Sequence, residues 1–458
     1  MDRKDLEELL GRQRKFFETH QTRSIDYRLK QLKKLRALVK KNEAEIHEAL
    51  RKDLGRPPME SAGGDTGLVQ QELGLAIRKL RSWSRTRRVM SPIVTFNARS
   101  YYRYEPYGNV LVISPWNYPF QLLFIPMIGA MAAGNCVLAK PSRHASSTAE
   151  LMTRMIGDNF DPAYISVIKG SGEVNRYLFE LRFDYIFFTG GQETGKKVMR
   201  AAAEHLTPVS LELGGKNPVI IDKSIHLRNT AKRILWGKFL NAGQSCVAPD
   251  YLLVHKDVKD ELLLHMKKYL NKWLGAEPGS NTDFSRIINT GEAERLQEYL
   301  GQGRIVYGGQ ADPGKKYVSF TILDNIPEDA PILKEEVFGP VLPVIAYSSL
   351  GEALGYVSSR PRPLSLYVFS SSRRFQKEVM NKTVSGNACI NETVVQFINP
   401  RLPFGGIGTS GMGKYHGRYS FETFSNKRAY MNTSNLIDLP IRYPPYGKKA
   451  RLLSFLMR

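Results

Sequence analysis

The chain has 458 residues, 42% of them apolar and 24% charged, and 66 Lys and Arg against 44 Asp and Glu leave a net charge of +22. This composition excludes disordered, collagen-like, coiled-coil and disulfide-scaffold proteins, and the length predicts about two or three domains. The positive surplus predicts attraction to nucleic acid, anionic membrane or acidic small molecules, and carries no information on the fold.

The N-terminus, Met1-Asp2-Arg3-Lys4-Asp5, is charged and lacks the apolar core of a signal peptide. Leu29, Leu32, Leu35, Leu38 and Val39 recur at helical spacing with Lys and Arg between them, so the first stretch reads as helix with a solvated cationic face. Arg99 to Tyr107 alternates polar with aromatic residues, as an edge or bridging strand does. From Val110 to Ile221 short apolar runs (Val110–Ile113, Val137–Ala139, Ile165–Ile168, Tyr185–Phe188, Pro218–Ile221) alternate with helical segments such as Ser146 to Ile156 and Lys196 to His205. That texture predicts parallel strands buried on both faces. Leu122 to Gly134 is the most apolar stretch, but Pro126 interrupts it and it falls short of the ~20 residues of a membrane span. Tyr251–Val254 and Leu364–Phe369 begin a second α/β pattern, which places a domain boundary near Glu212. The residues from Arg442 onward, rich in Pro and cations, read as an extended tail.

Two glycine motifs need weighing. Gly406-Ile407-Gly408-Thr409-Ser410-Gly411 fits G-x-G-x-x-G, yet Leu402-Pro403-Phe404 precedes it and Gly413 and Gly417 interrupt the segment after it, so a sharply turning segment is expected rather than a phosphate loop. Gly190-Gly191-Gln192-Glu193-Thr194-Gly195-Lys196-Lys197 resembles a nucleotide loop at a helix start, but Lys197 stands where a magnesium-binding Ser or Thr belongs. Triphosphate hydrolysis is disfavoured; there remains a helix N-terminus that suits an anion such as a dinucleotide pyrophosphate.

Cys136, Cys246 and Cys389 are widely spaced and form no C-x-x-C, so neither a disulfide framework nor a metal site is expected, and a reducing, cytoplasmic setting is the simplest expectation. A lone cysteine is ordinarily an inert buried thiol. Cys246 differs, because Gly243 permits close backbone approach and polar Gln244-Ser245 precede the thiol; an accessible, low-pKa thiolate is the expectation. Cys136 and Cys389 lie in apolar runs and read as packing residues. Glu212, in Leu211-Glu212-Leu213-Gly214-Gly215, is a carboxylate at a strand end that is costly to bury unless used or paired; burial would suit it to general-base work, and a salt bridge is the alternative. Asn117, in Trp116-Asn117-Tyr118-Pro119, comes after a strand end and offers an amide to a developing oxyanion, or simply caps a turn.

Together these segments resemble the aldehyde dehydrogenase superfamily. Cys246, Glu212 and Asn117 match its nucleophile, general base and oxyanion-hole asparagine, and the resemblance extends through Lys140-Pro141-Ser142, Phe188-Thr189-Gly190, Glu335-Glu336-Val337-Phe338-Gly339-Pro340 and Pro403-Phe404-Gly405-Gly406. His205-Leu206-Thr207-Pro208-Val209, Gly411-Met412-Gly413-Lys414-Tyr415-His416-Gly417 and Arg442-Tyr443-Pro444-Pro445-Tyr446 are similar to the class 3 branch, which is dimeric and acts on medium-chain aliphatic and aromatic aldehydes. The resemblance implies an α/β fold: a Rossmann-like parallel-sheet cofactor domain (1–83 and 105–211), an α/β catalytic thiol domain (212–425) and a small β bridging or oligomerisation element with the tail (84–104 and 426–458). It also implies NAD or NADP as cofactor, with Lys140 at the adenosine ribose, the Gly190 to Gly195 turn at the pyrophosphate, Glu336 on the nicotinamide ribose, Phe338 beside the ring, and Ser142 and Thr189 as further cofactor-binding residues. Trp116, Tyr118 and Trp236 lie beside motif positions and are candidates for an aromatic substrate funnel.

One departure stands out. The family commonly has Lys-Pro-Ser-Glu, whereas the fourth residue here is Arg143, a cation that can attract a 2′-phosphate and favour NADP. A coenzyme A-acylating dehydrogenase is a rival reading, disfavoured by Glu212, because transfer to a thiol needs no water-activating base. A basic nucleic-acid- or membrane-binding protein is a second rival, disfavoured by the lack of any recognisable nucleic-acid module. The terminal Lys448-Lys449 and Arg451-Leu452-Leu453-Ser454-Phe455-Leu456-Met457-Arg458 are too short to span a bilayer but suit peripheral contact with an anionic surface.

Overall fold

Leu32, Leu35 and Val39 fall on one side of the helix Ile25–Lys41 and are buried, while its lysines lie outside. Arg28 departs from the expected solvated face: its guanidinium is buried and donates to the carbonyls of Thr22, Arg23 and Ala132. The computed structural model describes residues 2–170, 172–438, 440–447 and 449–456.

Three larger sheets and a two-stranded one, Ala311–Asp312 with Tyr317–Val318, organise the described residues. Arg87–Val89 (β1) and Ala98–Pro106 (β2) join Ser425–Thr433 in an antiparallel sheet with β2 in the middle, so the tyrosine-rich segment bridges rather than forms an edge. Asn109–Ile113 (β3), Cys136–Lys140 (β4), Ile165–Val167 (β5), Tyr185–Gly190 (β6) and Val209–Leu213 (β7) form a parallel sheet in the order β7-β6-β3-β4-β5. Its residues are buried on both faces because helices cover each side, which is why the runs are continuously apolar. Gly411–Met412 adds to the open edge of β7, antiparallel. Pro218–Ile221 (β8) and Tyr251–His255 (β9) sit at the centre of a seven-stranded sheet, parallel except where Arg304–Tyr307 pairs with Thr321–Asp324 at one edge. The boundary expected near Glu212 falls inside β7, and the crossing to the second sheet runs through Gly214 to Asn217.

The helix Pro119–Ala133, with Pro126 inside it, is buried along its whole length and packs against the first sheet. Asn117 therefore enters from β3 onto a fixed support. Gly406 to Gly411 is a tight turn with a single 3-10 turn at Gly408–Ser410, and no helix of a phosphate loop comes directly after it. The tail does not stay extended: Lys449–Leu456 is a short helix near Ile93–Thr95. Lys448, Met457 and Arg458 lie outside the described residues.

Candidate active site

The helix Leu227–Phe239 ends in a sharply coiled segment in which Asn241, Ala242 and Gly243 have φ of 52°, 51° and 72°. Left-handed backbone costs a non-glycine residue roughly 1–2 kcal/mol, so the surroundings must hold it. They do so with amides. Asn241 Nδ2 donates to the carbonyls of Asn117 (2.9 Å) and Gln244 (3.0 Å). Gln244 Nε2 donates to Asn241 (2.9 Å) and Arg286 (3.0 Å), and its Oε1 accepts from Ile288 N–H (3.0 Å). A Cβ on Gly243 would collide with the Gly339 carbonyl, so only glycine lets the loop press against Phe338-Gly339. The loop delivers Cys246 half-buried, its carbonyl accepting from Asn217 Nδ2 at 2.7 Å.

Asn117 is 2% exposed; its Nδ2 donates to the Gln244 carbonyl at 3.1 Å, and its Oδ1 has no partner among the described residues. The amide is thus turned toward the thiol-bearing loop and is more than a turn cap. Its main-chain carbonyl is gripped by Arg56, which is buried in an ion pair with Asp65 and lies 4.4 Å over the Tyr118 ring. Asp65 also accepts from Gln121 N–H at 2.9 Å. Asp65→Asn leaves a buried guanidinium uncompensated, and unfolding measurements are expected to show a loss of about 3–5 kcal/mol; a loss below 1 kcal/mol would rule out the clamp.

Glu212 on β7 is 4% exposed and registers against Thr189 of β6. No cation closes to ion-pair distance on the carboxylate among the described residues, so the salt-bridge alternative fails, and the Gly406 N–H is the polar group nearest to satisfying it. Burial pushes its acid well above the ordinary carboxylate range, with the Lys414 ammonium opposing. Gly405 leaves room for the carboxylate: a Cβ there would stand 2.7 Å from Oε1. The low thiol pKa expected for Cys246 is not found; burial, then the charges of Glu336 and Glu212, push it up to about 12. Glu336, itself raised to about 8 by burial and Asp250, packs against Gly214.

On the side of Glu336 lies a cavity of about 660 Å³, lined by Gln192, Gly214 and Glu336 among others. The helix Gln192–Ala203 points its N-terminus here from Gly191, and Gln192 Nε2 donates to the Gly214 carbonyl at 3.2 Å. Thr189 Oγ1 is buried without a partner among the described residues, and Gly190 ends β6 immediately before the helix. Gly195 faces β7: a Cβ would come 2.8 Å from Leu213 Cδ2, so its lack of a side chain lets the helix seat against that strand. Lys140 closes β4 with a buried side chain that makes no ion pair among the described residues, and burial with the nearby Arg143 lowers it to about 8. Ser142 accepts from His144 N–H at 3.3 Å, and Arg143 is exposed. A free helix N-terminus, an unpartnered hydroxyl and an unneutralised amine fit a dinucleotide carrying phosphates.

On the opposite side a cavity of about 550 Å³ is walled by Tyr118, Trp236, Phe239, Trp273 and Phe397. Trp116 is not among its walls; it stands edge-on to Phe338, ring centroids 5.4 Å apart, while Phe338 itself has φ of 44°. Arg56, Asp65, Asn241 and Gln244 belong to the site although no motif marked them. Gln244 drew notice as a polar neighbour of the thiol, but its three-way anchoring is a tertiary fact.

A family model described as the aldehyde dehydrogenase family matches residues 1–430. The chain is 44% identical over 440 residues to the 4,4'-diaponeurosporen-aldehyde dehydrogenase of Staphylococcus aureus, covering 96% of each. It is 41% identical over 445 residues to aldehyde dehydrogenase family 3 member B1 of Rattus norvegicus, covering 97% of this chain and 95% of that one. Among solved structures, a substrate-bound state of Staphylococcus aureus AldH aligns over 99% of both chains with a TM-score of 0.97 and 42% identity. An NAD-dependent aldehyde dehydrogenase from Sinorhizobium meliloti aligns over 96% of this chain and 89% of that one, with a TM-score of 0.87 and 26% identity. With a thiol, an amide and a buried carboxylate brought close together, the chain belongs to the aldehyde dehydrogenase family and is an NAD(P)-dependent enzyme that oxidises aldehydes.

Proposed function

We propose that Cys246 is the nucleophile of this oxidation, Asn117 its oxyanion donor and Glu212 the base that completes the cycle. The Cys246 thiolate adds to the aldehyde carbonyl, forming a C–S bond. The Asn117 amide and the Cys246 N–H stabilise the negative oxygen of the adduct. Bound NAD(P) supplies the hydride acceptor and a positive charge on its oxidised ring; Glu336, Phe338, Thr189, Gly190, Lys140 and Ser142 are the residues that would hold it. Once the adduct has lost its hydride, a thioester remains on Cys246. Glu212 takes a proton from water, the hydroxide displaces the thiolate, and a carboxylic acid leaves. The observation that carries this reading is a buried carboxylate with no ion pair among the described residues, close enough to the thiol for its charge to act on Cys246. Cys246→Ser and Glu212→Gln test it, because one should yield no reduced cofactor and the other a single stoichiometric burst.

The apolar, aromatic-walled cavity supports medium-chain aliphatic or aromatic aldehydes as substrates. NADP serves at least as well as NAD on this reading, since Lys140 lacks a counter-ion among the described residues and Arg143 is free to meet a 2′-phosphate. Hydrogen bonds to charged groups contribute about 1.5–3 kcal/mol, so Arg143→Glu should lower kcat/KM for NADP about tenfold or more and spare NAD. A strong NAD preference unchanged by the substitution would remove the NADP assignment. The protein acts as a homodimer through the three-stranded sheet, whose outer strand Ser425–Thr433 keeps an open edge; a monomer mass by light scattering would exclude this. It resides in the cytoplasm, where three free cysteines persist, and touches anionic membrane through the helix Lys449–Leu456, where Phe455 is exposed beside Arg451. Salt-insensitive failure to co-sediment with anionic vesicles would exclude the membrane contact.

A further inference from the structure

The wall of the apolar cavity is missing two side chains. Gly63 and Gly64 both line it, and both stand inside a helical run: Pro58–Ser61 passes through a π-helical turn, Ala62–Thr66, into Gly67–Trp83. Glycine is the least favourable helix residue after proline, and π-turns occur as single bulges that are frequent at functional positions. A Cβ placed on Gly63 meets no atom within 4 Å, and one on Gly64 comes 3.1 Å from Tyr118 Cε1, itself a cavity wall. The turn cannot be rewound to hide the gap, because its next residue is Asp65, buried against Arg56 and Gln121 N–H. The register that anchors Asn117 thus also dictates which residues face the substrate side.

We propose that the Gly63-Gly64 pair determines specificity by width: the enzyme takes apolar aldehydes with long or ring-bearing bulk at this wall, and a side chain at residue 63 would convert it to one for short aldehydes. The proposal rests on the reading of this cavity as the aldehyde channel. Trp236, Phe239 and Phe397 line the same cavity and offer the apolar surface that such bulk would contact. Because the reacting groups lie on other segments, filling the gap should act on substrate binding while leaving the chemistry alone.

The test compares propanal with dodecanal and 2-naphthaldehyde in wild type, Gly63→Ala, Gly63→Leu and Gly63→Phe. Loss of fit in an apolar pocket is worth about 10–200-fold. Gly63→Phe is therefore expected to lower kcat/KM for the two bulky aldehydes at least tenfold through KM, with propanal within about threefold of wild type. Gly63→Leu should fall between, and Gly63→Ala should keep the wild-type ratio. An unchanged ratio in both Leu and Phe variants, or a parallel loss on all three aldehydes, overturns the proposal. Absence of wild-type turnover on every aldehyde would instead overturn the channel reading beneath it.

Discussion

Cys246→Ser is expected to lower aldehyde-dependent formation of NAD(P)H by a factor on the order of 10⁴ or more while leaving the unfolding transition where it was. A serine hydroxyl is a far weaker nucleophile than a thiolate, and burial with two flanking carboxylates makes ionisation still harder at this position. Those forces already push the thiol up to about 12. The fold should not notice the exchange, because the loop is held by the amides of Asn241 and Gln244 and by the contact of Gly243 with Gly339. In the wild type the raised pKa gives acylation a rising pH profile, since each unit of pH below the thiol pKa yields about tenfold less thiolate. A Cys246→Ser enzyme that still turns over would move the nucleophile elsewhere, and neither alternative is placed for it. Cys136 is buried in β4, and Cys389 lies on Asn387–Ile390 at the far edge of the second sheet.

Glu212→Gln separates the two halves of the reaction. Acylation needs only the thiol, the oxyanion donors and the cofactor, so the variant should release one equivalent of NAD(P)H per site in a burst. Hydrolysis should then slow about 10²–10⁴-fold, and the acyl group should be visible as added mass on the intact protein. Stability changes as well, with a definite sign. Burial raises the carboxyl of Glu212 in the folded state, so between its ordinary and native pKa the folded protein binds more protons than the unfolded one. Stability therefore falls as pH rises through that window. The glutamine variant escapes this penalty, and its Tm should exceed that of wild type by a margin that grows as pH rises above the ordinary carboxylate range. Full steady-state turnover, or a margin that shrinks with pH, would refute the base assignment.

Much of the site was readable because its local chemistry departs from what packing needs. A carboxylate between leucines, polar residues before a thiol and an asparagine after a strand are costly unless used, and the structure buries Glu212 and Asn117 close to the loop that carries Cys246. The alternation of apolar runs announced the sheets for the same local reason. What stayed hidden depends on pairing across the fold. Nothing local marks Arg56 or Asp65: the π-turn carries Asp65 into the interior, where it pairs with Arg56. The high thiol pKa comes from burial and from Glu336 and Glu212, which sequence spacing keeps far from Cys246. Gly195 and Trp116 carry the right residue types in the right neighbourhood, but they point at Leu213 and Phe338, and direction is invisible in a string of letters.

The antiparallel pairing of Gly411–Met412 with β7 also governs how the protein can be made. As the chain leaves the ribosome, β3 to β7 emerge long before the segment that covers the edge beside Glu212, and the helix Arg418–Thr423 that packs on Pro119–Ala133 emerges later still. Until then the first sheet exposes a free edge, the kind of surface that invites pairing with another nascent chain. The two sheets are consequently expected to lock together only after synthesis is nearly finished, in one cooperative step, and a chain stopped near residue 400 should aggregate rather than accumulate as a folded cofactor domain.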